Sequence, residues 1–260
     1  MSKKNKEKVV LDTHYTSGEE IFNNKYVPVN HGKRPHLWLG FAKAVARIFV
    51  RKPEVVWKTE IPSEPCLFVC NHTKIYAPVA ILLYYKNVRL WANFYFMYLK
   101  DCWNHMMKKV LKDRNPILKG VAALIMPLVV WTFKSIEAIP VFHDTRVKYT
   151  FTEFVDTLNA GKCSMVFPER TENQVSKYVY EFNRGFTFVA QTYFKQTGKL
   201  LKFYPVYCCQ SLKKFVVGEP ITYNPDEPMR AQSVKIAEYL QNEVTAIADS
   251  LGEHDIVLYG

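Results

Sequence analysis

No nearly uncharged run in this 260-residue chain reaches the length expected of an ordinary membrane-crossing helix. The longest nearly uncharged run, Gly120 to Phe133, is too short and carries Pro127 in its middle. The first residues, Met1 to Lys8, are basic and lack the apolar segment of a signal peptide. The expectation is therefore a cytoplasmic protein, peripherally associated with the membrane rather than spanning it. The six cysteines offer no C-x2-C pairing of a zinc site and no disulfide framework, so no metal site is expected and the thiols read as buried and reduced. Acidic residues are scarce: 24 Asp and Glu against 35 Lys and Arg leave a formal charge of +11, which points to an anionic partner. Recognition-helix, zinc-finger and RNA-binding-sheet signatures are all missing, which makes nucleic acid unlikely as that partner.

What is present reads as layered α/β structure. Residues 1–33 are polar and read as a partly disordered start. Residues 34–58 read as a basic amphipathic helical segment: Leu37, Leu39, Phe41, Ala42, Val45, Ile48 and Phe49 form an apolar stripe beside Lys43, Arg47, Arg51 and Lys52. Two readings stay open for it, a helix lying on a membrane surface and one packed on its own domain with a solvated basic face. Residues 59–260 read as one α/β domain. Buried strands are expected at Cys66–Cys70, Ala138–Phe142, Cys163–Phe167 and Phe203–Tyr207, with another around Phe215–Val217. Helical spacing runs through Phe151–Leu158 to Gly161, through Phe186–Tyr193 towards Gly198, and through Ala237–Leu251. Strands alternating with helices predict a central, largely parallel sheet with helices on both faces.

The polar residues cluster where strands end. The first strand runs into Asn71-His72-Thr73-Lys74, the second into His143-Asp144-Thr145-Arg146, the third into Pro168-Glu169-Arg170-Thr171. Ligands of open α/β sheets bind beyond the carboxyl ends of the strands, so parallel neighbours would bring these groups to one crevice. Each piece has an ordinary structural reading: a hydrogen-bonded histidine, a capping glutamate, a surface Asp144–Arg146 ion pair. Aromatics between Trp91 and Leu99, with Trp103 and Trp131, suit a membrane interface or a core. Lys108, Lys109, Lys112, Arg114 and Lys119 suit anionic headgroups.

Asn71-His72, then Ala138-Ile139-Pro140-Val141, then Phe167-Pro168-Glu169, then Tyr204-Pro205-Val206 resemble, in order and spacing, the four motifs of the phospholipid-synthesis acyltransferases, which acylate glycerol phosphate and lysophosphatidic acid. Gly218-Glu219-Pro220-Ile221 resembles a stretch near the end of that domain, and the likeness covers roughly residues 60 to 225. The resemblance implies an acyltransferase-like α/β fold without a cofactor. It implies that His72 is a general base that deprotonates an acceptor hydroxyl for attack on the thioester of acyl-CoA or an acyl carrier protein. The acceptor would be lysophospholipid-like, at an anionic membrane surface. Asn71, Lys74, His143, Arg146, Glu169, Arg170 and Thr171 would line its site.

Departures from that pattern are specific. Ala77 holds the place of the aspartate in His-x4-Asp, Arg170 and Glu172 replace the usual Gly and Arg of the third motif, and His143 replaces the usual Arg of the second. Three outcomes stay open: Asp144 or Glu169 reaches His72 from another strand end; the acceptor orients the histidine; or catalysis is lost and the chain is a non-catalytic binder of lipid or acyl carrier. Asp144 is the expected orienting carboxylate.

Overall fold

The computed structural model describes residues 36–255, so residues 1–33 lie outside it. Along the chain the elements are α1 (His36–Phe49), β1 (Glu54–Trp57), β2 (Leu67–Cys70), α2 (Tyr76–Tyr84), β3 (Val88–Asn93), α3 (Leu99–His105) and α4 (Pro116–Ser135). There follow β4 (Ile139–Val141), α5 (Val147–Asn159), β5 (Cys163–Val166), β6 (Glu169–Gln174), β7 (Tyr180–Phe182), α6 (Val189–Thr197), β8 (Lys202–Cys209), β9 (Lys214–Val217), β10 (Ile221–Thr222) and α7 (Met229–Ser250). They pack as two compact units, one of residues 36–91 with 154–255 and one of residues 92–153.

The larger unit is built on a sheet in which β1, β9, β8, β2, β5 and β3 lie side by side. β2 is parallel to both neighbours, with Leu67 opposite Ser164 of β5 and Phe203 of β8, and β3 is parallel to β5. Only β9 and β10 run antiparallel to β8, so the sheet is largely parallel as expected. Every residue of β2 is buried, which explains its unbroken apolar sequence. Successive side chains point to opposite faces. Cys66, Phe68, Cys70, Tyr204, Val206 and Cys208 pack with Ala77, Ala80 and Ile81 of α2. The other face of β8 receives α7 and, at Phe203, the ring of Phe186. α6 stops at Gly198, whose φ of +71° is readily adopted only without a Cβ.

α1 ends at Phe49, and beyond Pro53 the chain becomes β1, parallel to β9. The apolar stripe of α1 faces outward: Phe41, Val45, Ile48 and Phe49 are exposed. Arg47 instead reaches back, donating from Nη2 to the carbonyl of Leu83 at 3.0 Å, and burial lowers the pKa of Lys43.

The smaller unit has an aromatic core of Phe94, Tyr95 and Phe142, and Phe96 stacks on Phe133 at 4.7 Å. α4 packs Met126 and Val130 against Cys102 of α3. Most of the aromatic run around Trp91 is thus core rather than interface. Trp91, Phe94 and Tyr95 are buried, and in the larger unit Trp91 Nε1 donates to Ser164 Oγ at 2.9 Å, satisfying the indole away from solvent.

Candidate functional site

β2 delivers Asn71 and His72 to the carboxyl edge of the parallel strands, between the ends of β5 and β8. Three consecutive residues are anchored there. Asn71 is buried and uses both ends of its amide on β8: Oδ1 accepts the Cys208 N–H at 2.6 Å and Nδ2 donates to the Cys208 carbonyl at 3.2 Å. The side chain so extends the ladder one step past the strand. His72 donates its backbone N–H to Glu169 Oε2 at 2.5 Å. Thr73 Oγ1 accepts the Ala77 N–H at 3.0 Å and ties the turn to the first turn of α2. Lys74, exposed, completes the turn at φ +44°, a conformation that holds for a residue with a side chain only when its surroundings enforce it.

The His72 ring rests at 5.1 Å from that of Phe167, the residue that ends the neighbouring β5 run. Burial lowers its pKa to about 4, so the imidazole is neutral at neutral pH. Glu169 opens the β6–β7 hairpin, and its second oxygen, Oε1, accepts the Tyr180 N–H at 3.0 Å. Its pKa rises to about 7, because burial outweighs the opposing effect of the two N–H bonds. This carboxylate fastens the hairpin to the backbone of His72. Ala77, where the resemblance puts the dyad carboxylate, is a fully buried methyl group in the core under β2.

Asn71, His72, Lys74, Glu169 and Arg170 thus belong to the larger unit; Arg170 is exposed on β6, and the side chain of Thr171 lies outside the described residues. His143, Asp144 and Arg146 belong to the smaller unit. There Arg146 is clamped by Asp144 through contacts of 2.6 to 2.9 Å, its backbone N–H adds a fourth bond at 2.7 Å, and its guanidinium lies 4.8 and 4.7 Å from the rings of Phe94 and Phe142. The ordinary surface ion pair the sequence allowed is instead a buried bidentate one, with the Asp144 side chain 1% exposed. Its two rings exclude the water that would weaken it. His143 meets Asn93 Oδ1 through Nε2 at 3.0 Å.

Three residues here escaped the sequence reading. Cys208 receives Asn71, and the only signal for it was the apolar run that ends in Cys208-Cys209. Tyr180 receives Glu169 through its backbone, which no side chain announces. Tyr76 is the third: its hydroxyl is buried and, among the described residues, makes no hydrogen bond, and burial pushes its pKa up to about 12. Farther along the hairpin a cavity of about 540 Å³ is lined by Lys177, Tyr178, Ser211, Leu212, His254 and their neighbours, and by none of the residues picked out above. Tyr207 and His254 share a 2.7 Å hydrogen bond beside it. Among the described residues no group of three or more His, Cys, Asp and Glu is placed to hold a metal.

No family model matches the chain, and no curated protein matches it. Among solved structures the chain is similar to the crystal structure of the 1-acyl-sn-glycerophosphate (LPA) acyltransferase, PlsC, from Thermotoga maritima. The two are 12% identical with a TM-score of 0.42, over 82% of this chain and 78% of that one.

Proposed function

We propose that this protein transfers a fatty acyl group from a thioester, on coenzyme A or an acyl carrier protein, to the hydroxyl of a lysophospholipid-like acceptor at a membrane surface. The observation that carries the reading is a neutral His72 at the carboxyl edge of β2, its backbone held by Glu169 and its neighbours Asn71 and Thr73 anchored to Cys208 and Ala77. An unprotonated imidazole at a strand end is in the protonation state from which a general base starts. His72 takes the hydroxyl proton as that oxygen attacks the thioester carbonyl; the carbon–sulfur bond then breaks, and the departing thiolate takes the proton back. Glu169 is a positioning residue. Lys74 and Arg170, both exposed in this unit, supply charge for an acceptor phosphate. Asp144 and Arg146 satisfy each other, so the proposal assigns them to the architecture of the smaller unit. The outward apolar stripe of α1 supports the membrane-surface part, since a helix that packed on its own domain would bury that stripe.

The test is transfer from acyl-CoA or acyl carrier protein to lysophosphatidic acid and related lysophospholipids in vesicles. His72→Ala is expected to lower turnover about a hundred- to ten-thousand-fold; equal rates would end the reading. A second reading, a non-catalytic binder of lipid or acyl carrier, is favoured by one observation, the core methyl of Ala77 in place of a carboxylate. Vesicle or carrier binding without turnover by the wild type would select it.

A further inference from the structure

We infer that α4 lies in the plane of an anionic bilayer, its outer face sunk into the interfacial layer and its inner face held on the protein. The helix runs Pro116–Ser135, about 30 Å at 1.5 Å per residue. That exceeds the Gly120–Phe133 run visible in the sequence, because Pro116 and Asn115 start it a turn early and Lys119 and Lys134 are taken inside it, so against the sequence expectation the helix is long and apolar enough to cross a membrane by length and composition. It contains no acidic residue, and only Met126 and Val130 are buried. Ile117, Leu118, Val121, Leu124, Ile125 and Leu128 are exposed, Ile117 at 75% and Leu124 at 82%. Their spacing of one, three and four puts all six on one face. Water is a poor environment for so continuous an apolar face, and a soluble monomer rarely keeps one uncovered.

Charge identifies what covers it. Lys100, Lys108, Lys112 and Arg114, all exposed, lead into the helix against Asp101 and Asp113 alone, which complements anionic headgroups and not another copy of an equally basic surface. Two facts set the orientation. The inner face packs through Met126 and Val130 on α3, which carries Lys100, Asp101, Asn104 and His105; a crossing helix would draw those charges into hydrocarbon. The C-terminal end also returns to the same unit, since Phe133 and Ile136 pack with Met97 and Ala138. Trp103, half exposed on α3, suits the headgroup layer.

This deepens the membrane-surface part of the proposal above and is independent of catalysis. Its test is flotation of the full chain with vesicles of phosphatidylcholine alone and of equal parts phosphatidylcholine and phosphatidylglycerol. The wild type is expected to float with the anionic vesicles and to be released by salt and by alkaline carbonate. Ile117→Glu with Leu124→Glu should lower the bound fraction about tenfold or more, with circular dichroism and the melting curve unchanged because both positions are exposed. Undiminished flotation of that variant, with α1 doing the docking, would overturn the inference while leaving membrane association standing. A wild type that floats with neither vesicle would overturn both. Retention through carbonate would replace the in-plane helix by a spanning one, and a dimer by light scattering that this variant dissolves would assign the face to a second copy.

Discussion

Glu169 holds two backbone N–H groups from two directions, His72 on one side and Tyr180 on the other. A glutamine there offers one acceptor and one donor, so one of the two N–H groups faces another N–H. Glu169→Gln is expected to lose about 1–3 kcal/mol in urea denaturation and, on the proposed reading, to lower kcat more than KM, since it loosens His72 without touching the acceptor. Tyr76 separates use from accident. Its orphan hydroxyl costs stability unless something else engages it. Tyr76→Phe should therefore raise the urea midpoint, and a simultaneous fall in acyl transfer would mean that the hydroxyl meets substrate. In the smaller unit, Asp144→Ala strands a guanidinium between Phe94 and Phe142. The expected loss is about 3–5 kcal/mol. Asp144→Ala combined with Arg146→Met should recover much of it, an outcome foreign to a residue whose task is orienting His72.

At the scale of elements, the close approach of α7 to the sheet turns on Gly218, which follows β9. A Cβ there would lie 2.8 Å from Ile247 Cδ1 and 3.1 Å from Pro205 Cγ. Gly218→Ala should therefore cost about 1–3 kcal/mol, and Ile247→Val, by removing the offending methyl, should return part of that in a double-mutant cycle read by chemical denaturation. The motif reading saw Gly218 as a pattern; packing gives it a cause. The same division runs through the chain. β2, β5 and β8 were legible because strands buried on both faces are written as unbroken apolar runs. β1 and β3 were missed because each mixes a charged residue into a half-buried pattern. The β6–β7 hairpin was missed because Glu169-Arg170-Thr171-Glu172-Asn173-Gln174 has no alternation; the ladder sets Phe182 opposite Glu169 and Tyr180 opposite Gln174. His72 and Glu169 were legible as strand-end polar groups and do meet. That Glu169 would take the backbone of His72, or that Arg146 would find Asp144 two residues away, depends on rotamers and local turns that spacing does not encode.

Across the whole molecule, His72 and Glu169 pull stability in opposite directions as pH changes. The His72 pKa falls from 6.5 to about 4 on folding, so between those values the unfolded chain binds more protons and stability drops as pH is lowered. Glu169 rises from 4.5 to about 7, so between those values the folded chain binds more protons and stability increases as pH is lowered. Over the shared span from pH 6.5 to 4.5 the two contributions offset each other in the wild type. Removing one exposes the other. His72→Gln should become more stable relative to wild type as pH goes from 7 to 5, and Glu169→Gln less stable, each with a slope of at most about 1.4 kcal/mol per pH unit. Background titrations are common to all three proteins, so the differences between their urea midpoints at pH 7, 6 and 5 isolate the pair. Profiles that run parallel would mean that the burial of these two groups does not move their protons, and the neutral, desolvated imidazole on which the proposed chemistry rests would go with it.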